Sequence, residues 1–248
     1  MSCLTHDSTE NKMIVFDMDS TLIDAETIDE LARAAGVVSK VEEITKRAMC
    51  GNLDFGQALA EKVCLLEGLS PETALDAVSQ INLMPGAAEL ILYAKNRGYK
   101  TALVSGGFSI SAEMVGKALG IDFVFSNELL VEDGCLTGKV VGPFTRSDSK
   151  KEVFEELIRL NRVRPKQCVF VGDGANDACI FESAGFDTAF NPKSILRVCG
   201  RGHNKKISKP LSLFLNLFLI NFIIRHSMST SNSRTTKMPA FLLDREAQ

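Results

Sequence analysis

Two aspartates spaced i, i+2, Asp17 and Asp19 in VFDMDST, close an apolar run from Met13 to Phe16. At the end of a buried strand that spacing lets both carboxylates be aimed into one crevice, on the sheet edge where α/β proteins bind ligands. The pair alone is weak, because 14 aspartates in 248 residues give about 0.8 such pairs by chance, and a solvated turn has the same composition. A second acidic group, Gly172-Asp173-Gly174-Ala175-Asn176-Asp177, follows another apolar run, Cys168 to Val171. Carboxylates gathered from different strand ends repel one another unless a cation lies between them, and all-oxygen ligation suits Mg²⁺. Gly172 and Gly174 would let backbone approach the ion or its phosphate, although the stretch also has the composition of a Gly/Asn turn. Ser105-Gly106-Gly107, after a third apolar run from Thr101 to Val104, offers a hydroxyl and N–H groups as an anion cradle leading into a helix. By itself it is only a turn. Lys150 and Lys151 open a helical segment, where a cation could neutralise a phosphoryl oxygen, against the ordinary role of a solvated surface lysine.

These residues need elements to bring them together. The apolar runs read as buried parallel strands, and helix-period segments lie between and after them: Ala87 to Asn96 closed by Gly98, Ile110 to Leu119 closed by Gly120, and Lys150 to Leu160. Strands alternating with helices predict an α/β core with a parallel sheet. From Thr27 to about Ile81 only helix signals occur, over Thr27 to Ala35, Lys40 to Cys50, Phe55 to Leu66 and Thr73 to Ile81, the last opened by Ser70 and Pro71. This stretch reads as an inserted helical cap. Glu128 to Glu132 and Cys135 to Val141 flank Asp133-Gly134, a hairpin turn signature.

Composition excludes some functions. With 28 basic against 31 acidic residues and a net charge of -3, the chain has no positive field to hold nucleic acid. Seven cysteines, at 3, 50, 64, 135, 168, 179 and 199, include no C-x-x-C pair and read as small buried hydrophobes with reduced thiols. Residues 1–12 are polar and lack an apolar signal-peptide core, so a cytoplasmic location is expected.

Asp-x-Asp, Ser, Lys and a late Asp…Asp pair, each at a strand end or helix start, together resemble the haloacid dehalogenase superfamily of phosphohydrolases. FDMDSTLIDAETIDELA, AMCGNLDF, VSGGF and VGDGAND are similar to its phosphoserine phosphatase family, over about residues 13–197. The resemblance implies a Rossmann-like doubly wound parallel sheet, with a catalytic core over 13–25 and 82–197 and a helical cap over 26–81. It also implies a Mg²⁺-dependent phosphomonoester hydrolase acting on phosphoserine in the last step of serine biosynthesis. Asp17 is then the nucleophile that forms an aspartyl phosphate and Asp19 the general acid and base. Asp17, the main-chain carbonyl of Asp19 and Asp173 would ligate the metal, with Asp177 supporting them. Ser105, the Gly106 N–H, Lys150 and Asn176 would hold the phosphoryl oxygens. In the cap, Glu26 would meet the substrate ammonium, and Met49 and Phe55 would lie over the substrate.

The chain departs from the family in two places. Where the family clamps the substrate carboxylate with an arginine, this sequence has Lys62, a point charge instead of a fork. Another phosphorylated small acid, or transfer of the phosphoryl group to an alcohol, is the alternative. Residues 198–248 resemble nothing in the family and read as an artefact of splicing or frameshift, or as an anchor. Their apolar run 211–224 has 14 residues, about 21 Å as a helix against about 30 Å of hydrocarbon, so spanning a bilayer is doubtful, and a membrane-surface or aggregation-prone segment is the other reading. That tail is the basis of the alternative from another class, an inactive membrane-associated binding protein.

Overall fold

The computed structural model describes residues 11–173, Asp177, Ile180, Ala184 and 186–189. The fold is built on β1 (Lys12–Phe16), whose residues Met13, Ile14, Val15 and Phe16 are all buried. A strand covered on both faces has no polar side to show, which is why it appears in sequence as an unbroken apolar run. β2 (Tyr99–Phe108) and β5 (Cys168–Gly172) pair with it in parallel on either side. β3 (Phe123–Glu132) lies outside β2, β4 (Cys135–Val141) turns back antiparallel to β3, and β6 (Phe186–Ala189) runs parallel to β5. The resulting order is β4-β3-β2-β1-β5-β6. The chain steps outward from β1 on one side and later returns to the other, so the order reverses between β1 and its neighbours. A crevice opens at the carboxyl ends of such strands.

Four helices follow β1 in succession: α1 (Thr27–Ala34), α2 (Val38–Met49), α3 (Phe55–Cys64) and α4 (Pro71–Ser79). Asp54 caps α3 through a reciprocal pair with Gln57, and Ser70 with Pro71 opens α4, which fixes where these helices begin. α5 (Ala87–Asn96), α6 (Ser109–Leu119) and α7 (Ser149–Leu160) complete the layers around the sheet. On one face Met13, Val15, Ala102, Val104 and Phe170 pack with Phe154, Leu157 and Ile158 of α7, the Phe154 and Phe170 rings meeting edge to face at 6.3 Å. Alternation along β1 turns Ile14 and Phe16 to the opposite face.

A second core joins the α1–α4 layer to the β3–β4 hairpin, through Leu31, Val63, Leu66, Ala74 and Val78 against Phe108, Leu129 and Leu136. Each valine, leucine or phenylalanine of this set contributes about 1.5–3 kcal/mol on leaving water. Backbone bonds reinforce the contact, with Leu136 N donating to Leu69 O at 2.8 Å and Gly68 N to Leu136 O at 2.9 Å. The hairpin turn is formed by Asp133 and Gly134, both at positive φ (51° and 77°), as a two-residue primed turn requires.

The structure corrects several expectations. Ser105–Gly107 does not follow the end of a strand: β2 continues to Phe108, and its ladder with β3 is interrupted between Val104 and Phe108. The three residues form an irregularity inside the strand, which frees their backbone groups from pairing. β1 begins at Lys12, one residue inside the expected N-terminal extension. β6 was not anticipated, being only four residues long and too short to show periodicity. Cys168 is buried, but Cys50 and Cys64, at the ends of α2 and α3, are exposed and Cys135 is half-buried, so the thiols are not uniformly core residues. The expected tail, with its run 211–224, lies outside the described residues. Among the described residues no helix is long and apolar enough to cross a membrane.

Candidate active site

Asp17 is the first residue past β1 and stays in sheet register, its N–H donating to Val171 O at 2.8 Å. The chain then turns sharply, with Met18 O accepting from Leu22 N at 2.8 Å and Ser20 at positive φ. That turn leaves Asp17 buried in the crevice and brings Asp19 up half-buried beside it. From β5, Asp173 follows the strand end, and Asp177 is fully buried close by. Carboxylate oxygens of Asp17, Asp173 and Asp177 lie within 4.8 Å of one another. Gly172 makes this approach possible, because a methyl at that position would overlap the Asp177 carboxylate.

α7 delivers the counter-charge. Lys150, near its N-terminus, is only 3% exposed and donates from Nζ to Asp17 Oδ1 and to Asp177 Oδ1, each at 2.7 Å. Burial works against the Lys150 charge, but Asp17 and Asp177 outweigh it and hold the ammonium above the ordinary lysine pKa. Burial, then the Asp177 charge, pushes the Asp17 carboxyl up to about 6 against the pull of Lys150. Burial, then Glu26, pushes Asp19 up to about 7. Three clustered carboxylates facing one ammonium form an acidic, all-oxygen donor set, with backbone pared away at Gly172, and this set fits a hard divalent cation.

Ser105 is buried, and its Oγ accepts from Gly107 N at 2.9 Å, which fixes the hydroxyl beside the frayed stretch of β2. Asn127 of β3, fully buried, ties this stretch to the chain leading into α7. Its Nδ2 donates to Gly106 O at 3.1 Å and to Phe144 O at 3.0 Å, and its Oδ1 accepts from Phe144 N at 2.9 Å.

A cavity of about 220 Å³ lies between the sheet edge and the helical layer. Asp17, Asp19, Gly106, Gly107 and Asp173 line its floor, while Glu26, Phe55 and Lys62 line the opposite wall with Ile28, Ala48, Ala58 and Leu59. Glu26 is oriented by Ser20 Oγ, which donates to its Oε1 at 2.7 Å. Asp29, one helical turn from Glu26, was not singled out in the sequence. Burial and then Glu26 raise its pKa while Lys62 lowers it, so the Lys62 charge reaches this carboxylate as well.

The structure therefore brings Asp17, Asp19, Asp173, Asp177 and Lys150 together, and sets Gly106, Glu26, Phe55 and Lys62 around the same cavity. Met49 is not brought in: it is 73% exposed as the last residue of α2, and Ala48 takes the cavity position. Asn176 lies outside the described residues. Asn127 and Thr27 were missed. The available signal for Asn127 was an amide, unfavourable in strands, inside an apolar strand sequence. Thr27, eight residues from the Asp19 side chain it holds, offered none.

The comparisons with known proteins agree with this geometry. The family model described as haloacid dehalogenase-like hydrolase matches residues 11–185, and the chain belongs to that family. A phosphoserine phosphatase of Methanocaldococcus jannaschii is 45% identical over 188 residues, 76% of this chain and 89% of that protein. One of Archaeoglobus fulgidus is 46% identical over 197 residues, 79% of this chain but 57% of the longer relative. Among solved structures, a phospho-aspartyl intermediate analogue of phosphoserine phosphatase superposes with a TM-score of 0.78 at 42% identity, covering 84% of this chain and 99% of that one.

Proposed function

We propose that this chain hydrolyses O-phosphoserine to serine and phosphate through an aspartyl phosphate on Asp17, the last step of serine biosynthesis. The observation that carries this reading is the buried Asp17–Asp173–Asp177–Lys150 cluster, opening into a cavity whose far wall bears Glu26 and Lys62. A carboxylate at the sheet edge, next to a fixed ammonium, is placed to attack phosphorus in line with a leaving alkoxide.

In the first step a carboxylate oxygen of Asp17 bonds to phosphorus as the bond to the seryl oxygen breaks, and Asp19 gives its proton to that oxygen. In the second, Asp19 takes a proton from water, whose oxygen bonds to phosphorus as the bond from phosphorus to the Asp17 carboxylate oxygen breaks. Asp19 suits both roles because burial keeps its pKa near the working pH, at about 7. Lys150, the Ser105 hydroxyl, the Gly106 N–H and Asn176 hold the phosphoryl oxygens. Asp17, the Asp19 main-chain carbonyl and Asp173, with Asp177 in support, would hold Mg²⁺, which when bound would supply charge neutralisation for the phosphoryl group. Glu26 meets the substrate ammonium, Lys62 its carboxylate, and Phe55 closes the wall beside them. Met49 takes no part.

A second reading, a different phosphorylated small acid as the preferred substrate, is favoured by Lys62, whose single charge also acts on Asp29. The test is a panel of O-phosphoserine, phosphoethanolamine and phosphoglycolate, assayed with Mg²⁺ and with chelator. Mg²⁺-dependent release of phosphate with kcat/KM highest for phosphoserine, abolished in Asp17→Asn, is the expected result. Preference for phosphoglycolate would establish the second reading, and full activity of Asp17→Asn would overturn both.

A further inference from the structure

Asp19 is held by the first residue of the first helix after it. Thr27 Oγ1 donates to Asp19 Oδ1 at 2.6 Å, and the Thr27 backbone N–H donates to the same oxygen at 3.2 Å. Glu26, at the N-cap of α1, makes no side-chain capping bond. Asp19 satisfies that helix end from outside the helix instead. Thr27 is fully buried, and its hydroxyl also lies 3.2 Å from Ser111 Oγ of α6. The single Thr27 hydroxyl hydrogen goes to Asp19, so Thr27 can only accept in that contact; the Ser111 hydroxyl also reaches Phe108 O at 3.0 Å and Met18 Sδ at 3.9 Å.

The other Asp19 oxygen has different surroundings. Oδ2 faces Gly107, where an added methyl carbon would lie 3.0 Å from it, and both residues line the cavity. An oxygen that accepts two hydrogen bonds is a poor place for the proton of a neutral carboxyl, because that proton would point at another donor. With Oδ1 occupied in this way, the proton belongs on Oδ2.

We propose that Thr27 is a positioning residue for proton transfer: by occupying Oδ1 it fixes the plane of the Asp19 carboxyl and leaves the transferable proton on Oδ2, toward the substrate. The proposal rests on the reading of Asp19 as general acid. It also joins recognition to chemistry, since Glu26, which meets the substrate ammonium, is the residue next to Thr27 in the chain. A capping role alone would lower stability and leave the reacting proton where it is. A positioning role lowers kcat and leaves substrate binding nearly unchanged.

The experiment compares wild type, Thr27→Val, Thr27→Ser and Asp19→Asn in steady-state hydrolysis of O-phosphoserine with Mg²⁺, with unfolding midpoints measured for each. The first turnover of 4-nitrophenyl phosphate, whose phenolate leaves without a proton, is followed in parallel. Thr27→Val keeps the side-chain shape and should lower kcat for phosphoserine about tenfold or more, with KM changed less than about threefold. Thr27→Ser should recover kcat to within about threefold of wild type. First-turnover release of 4-nitrophenolate should slow by less than about threefold in Thr27→Val. Equal slowing on the two substrates, a loss confined to KM, or Thr27→Ser as impaired as Thr27→Val overturns the proposal. Should Thr27→Val not fold, Thr27→Ala is read by the same ratios. If Asp19→Asn retains phosphoserine turnover, the general-acid reading itself fails; if it loses turnover while Thr27→Val behaves as wild type, only the positioning role fails.

Discussion

Without a divalent cation this protein should become less stable as pH rises from 5 to 7.5, and added Mg²⁺ should oppose that trend. One cause is Asp17, whose carboxyl is raised from 3.8 to about 6 in the folded state by burial and by Asp177; Asp19, raised to about 7, acts in the same direction. A group with a raised folded pKa binds its proton more tightly when folded, so its contribution favours the fold below the unfolded pKa and is lost as pH rises through the folded one. For a shift from 3.8 to about 6, linkage gives a loss of about 2 kcal/mol by pH 5 and about 3 kcal/mol by pH 7.5. The difference, on the order of 1 kcal/mol, corresponds to roughly 2–4 °C in Tm for a chain of this size. A divalent cation between the carboxylates favours their charged forms and so offsets the burial and repulsion that raised the pKa; Mg²⁺ should therefore raise Tm by more at pH 7.5 than at pH 5. Thermal unfolding of wild type and Asp17→Asn at both pH values, with chelator and with 10 mM Mg²⁺, isolates the effect from other titrating groups by double difference. An equal Mg²⁺ gain at the two pH values, or the same pH-dependent gain in Asp17→Asn, would refute the electrostatic account of the cluster.

Three other changes probe the site. Lys62→Arg, supplying a forked donor, should lower KM for phosphoserine by up to about tenfold with little change in kcat, since a carboxylate remote from phosphorus is bound alike in ground and transition states. Lys62→Ala should raise KM for phosphoserine and spare phosphoethanolamine, and equal losses on the two substrates would remove Lys62 from substrate recognition. Gly172→Ala places a methyl against Asp177 and the Phe170 ring; overpacking of this kind costs about 1–3 kcal/mol. It should raise the Mg²⁺ concentration for half-maximal activity by about tenfold, read from a Mg²⁺ titration of phosphate release; an unchanged titration would show that Asp177 does not support the metal.

The parts of this molecule legible in its sequence are those where one physical demand leaves few residue types. β1 and β5 are covered on both faces and so appear as apolar runs, and Ser70-Pro71 and Gly120 mark helix ends through the backbone conformations they supply. The reacting carboxylates announce themselves because repulsion makes such a cluster improbable without a cation. Lys150 is the opposite case, since nothing in a lysine near a helix start distinguishes a solvated charge from one that is 3% exposed. Only the carboxylates folded against it make the burial tolerable, because removing one partner of a buried pair costs about 3–5 kcal/mol. Met49 shows how fine the distinction becomes on a helix, where one residue is a rotation of about 100°: the cavity wall receives Ala48 and solvent receives Met49.

Positioning residues are harder still to read, for a chemical reason. A nucleophile or metal ligand must be one of a few side chains, whereas an amide that ties two loops or a hydroxyl that holds one oxygen can come from many places in the chain. Asn127 fixes Gly106 from a neighbouring strand across 21 residues, and Thr27 fixes Asp19 across eight. Neither distance is a period of helix or strand, so no pattern in the sequence connects the partners. Such pairs become visible only when the backbone has brought them within hydrogen-bond reach. In this fold they lie one contact behind the reacting atoms, where a lost hydroxyl changes the aim of a proton and leaves the set of reacting groups intact.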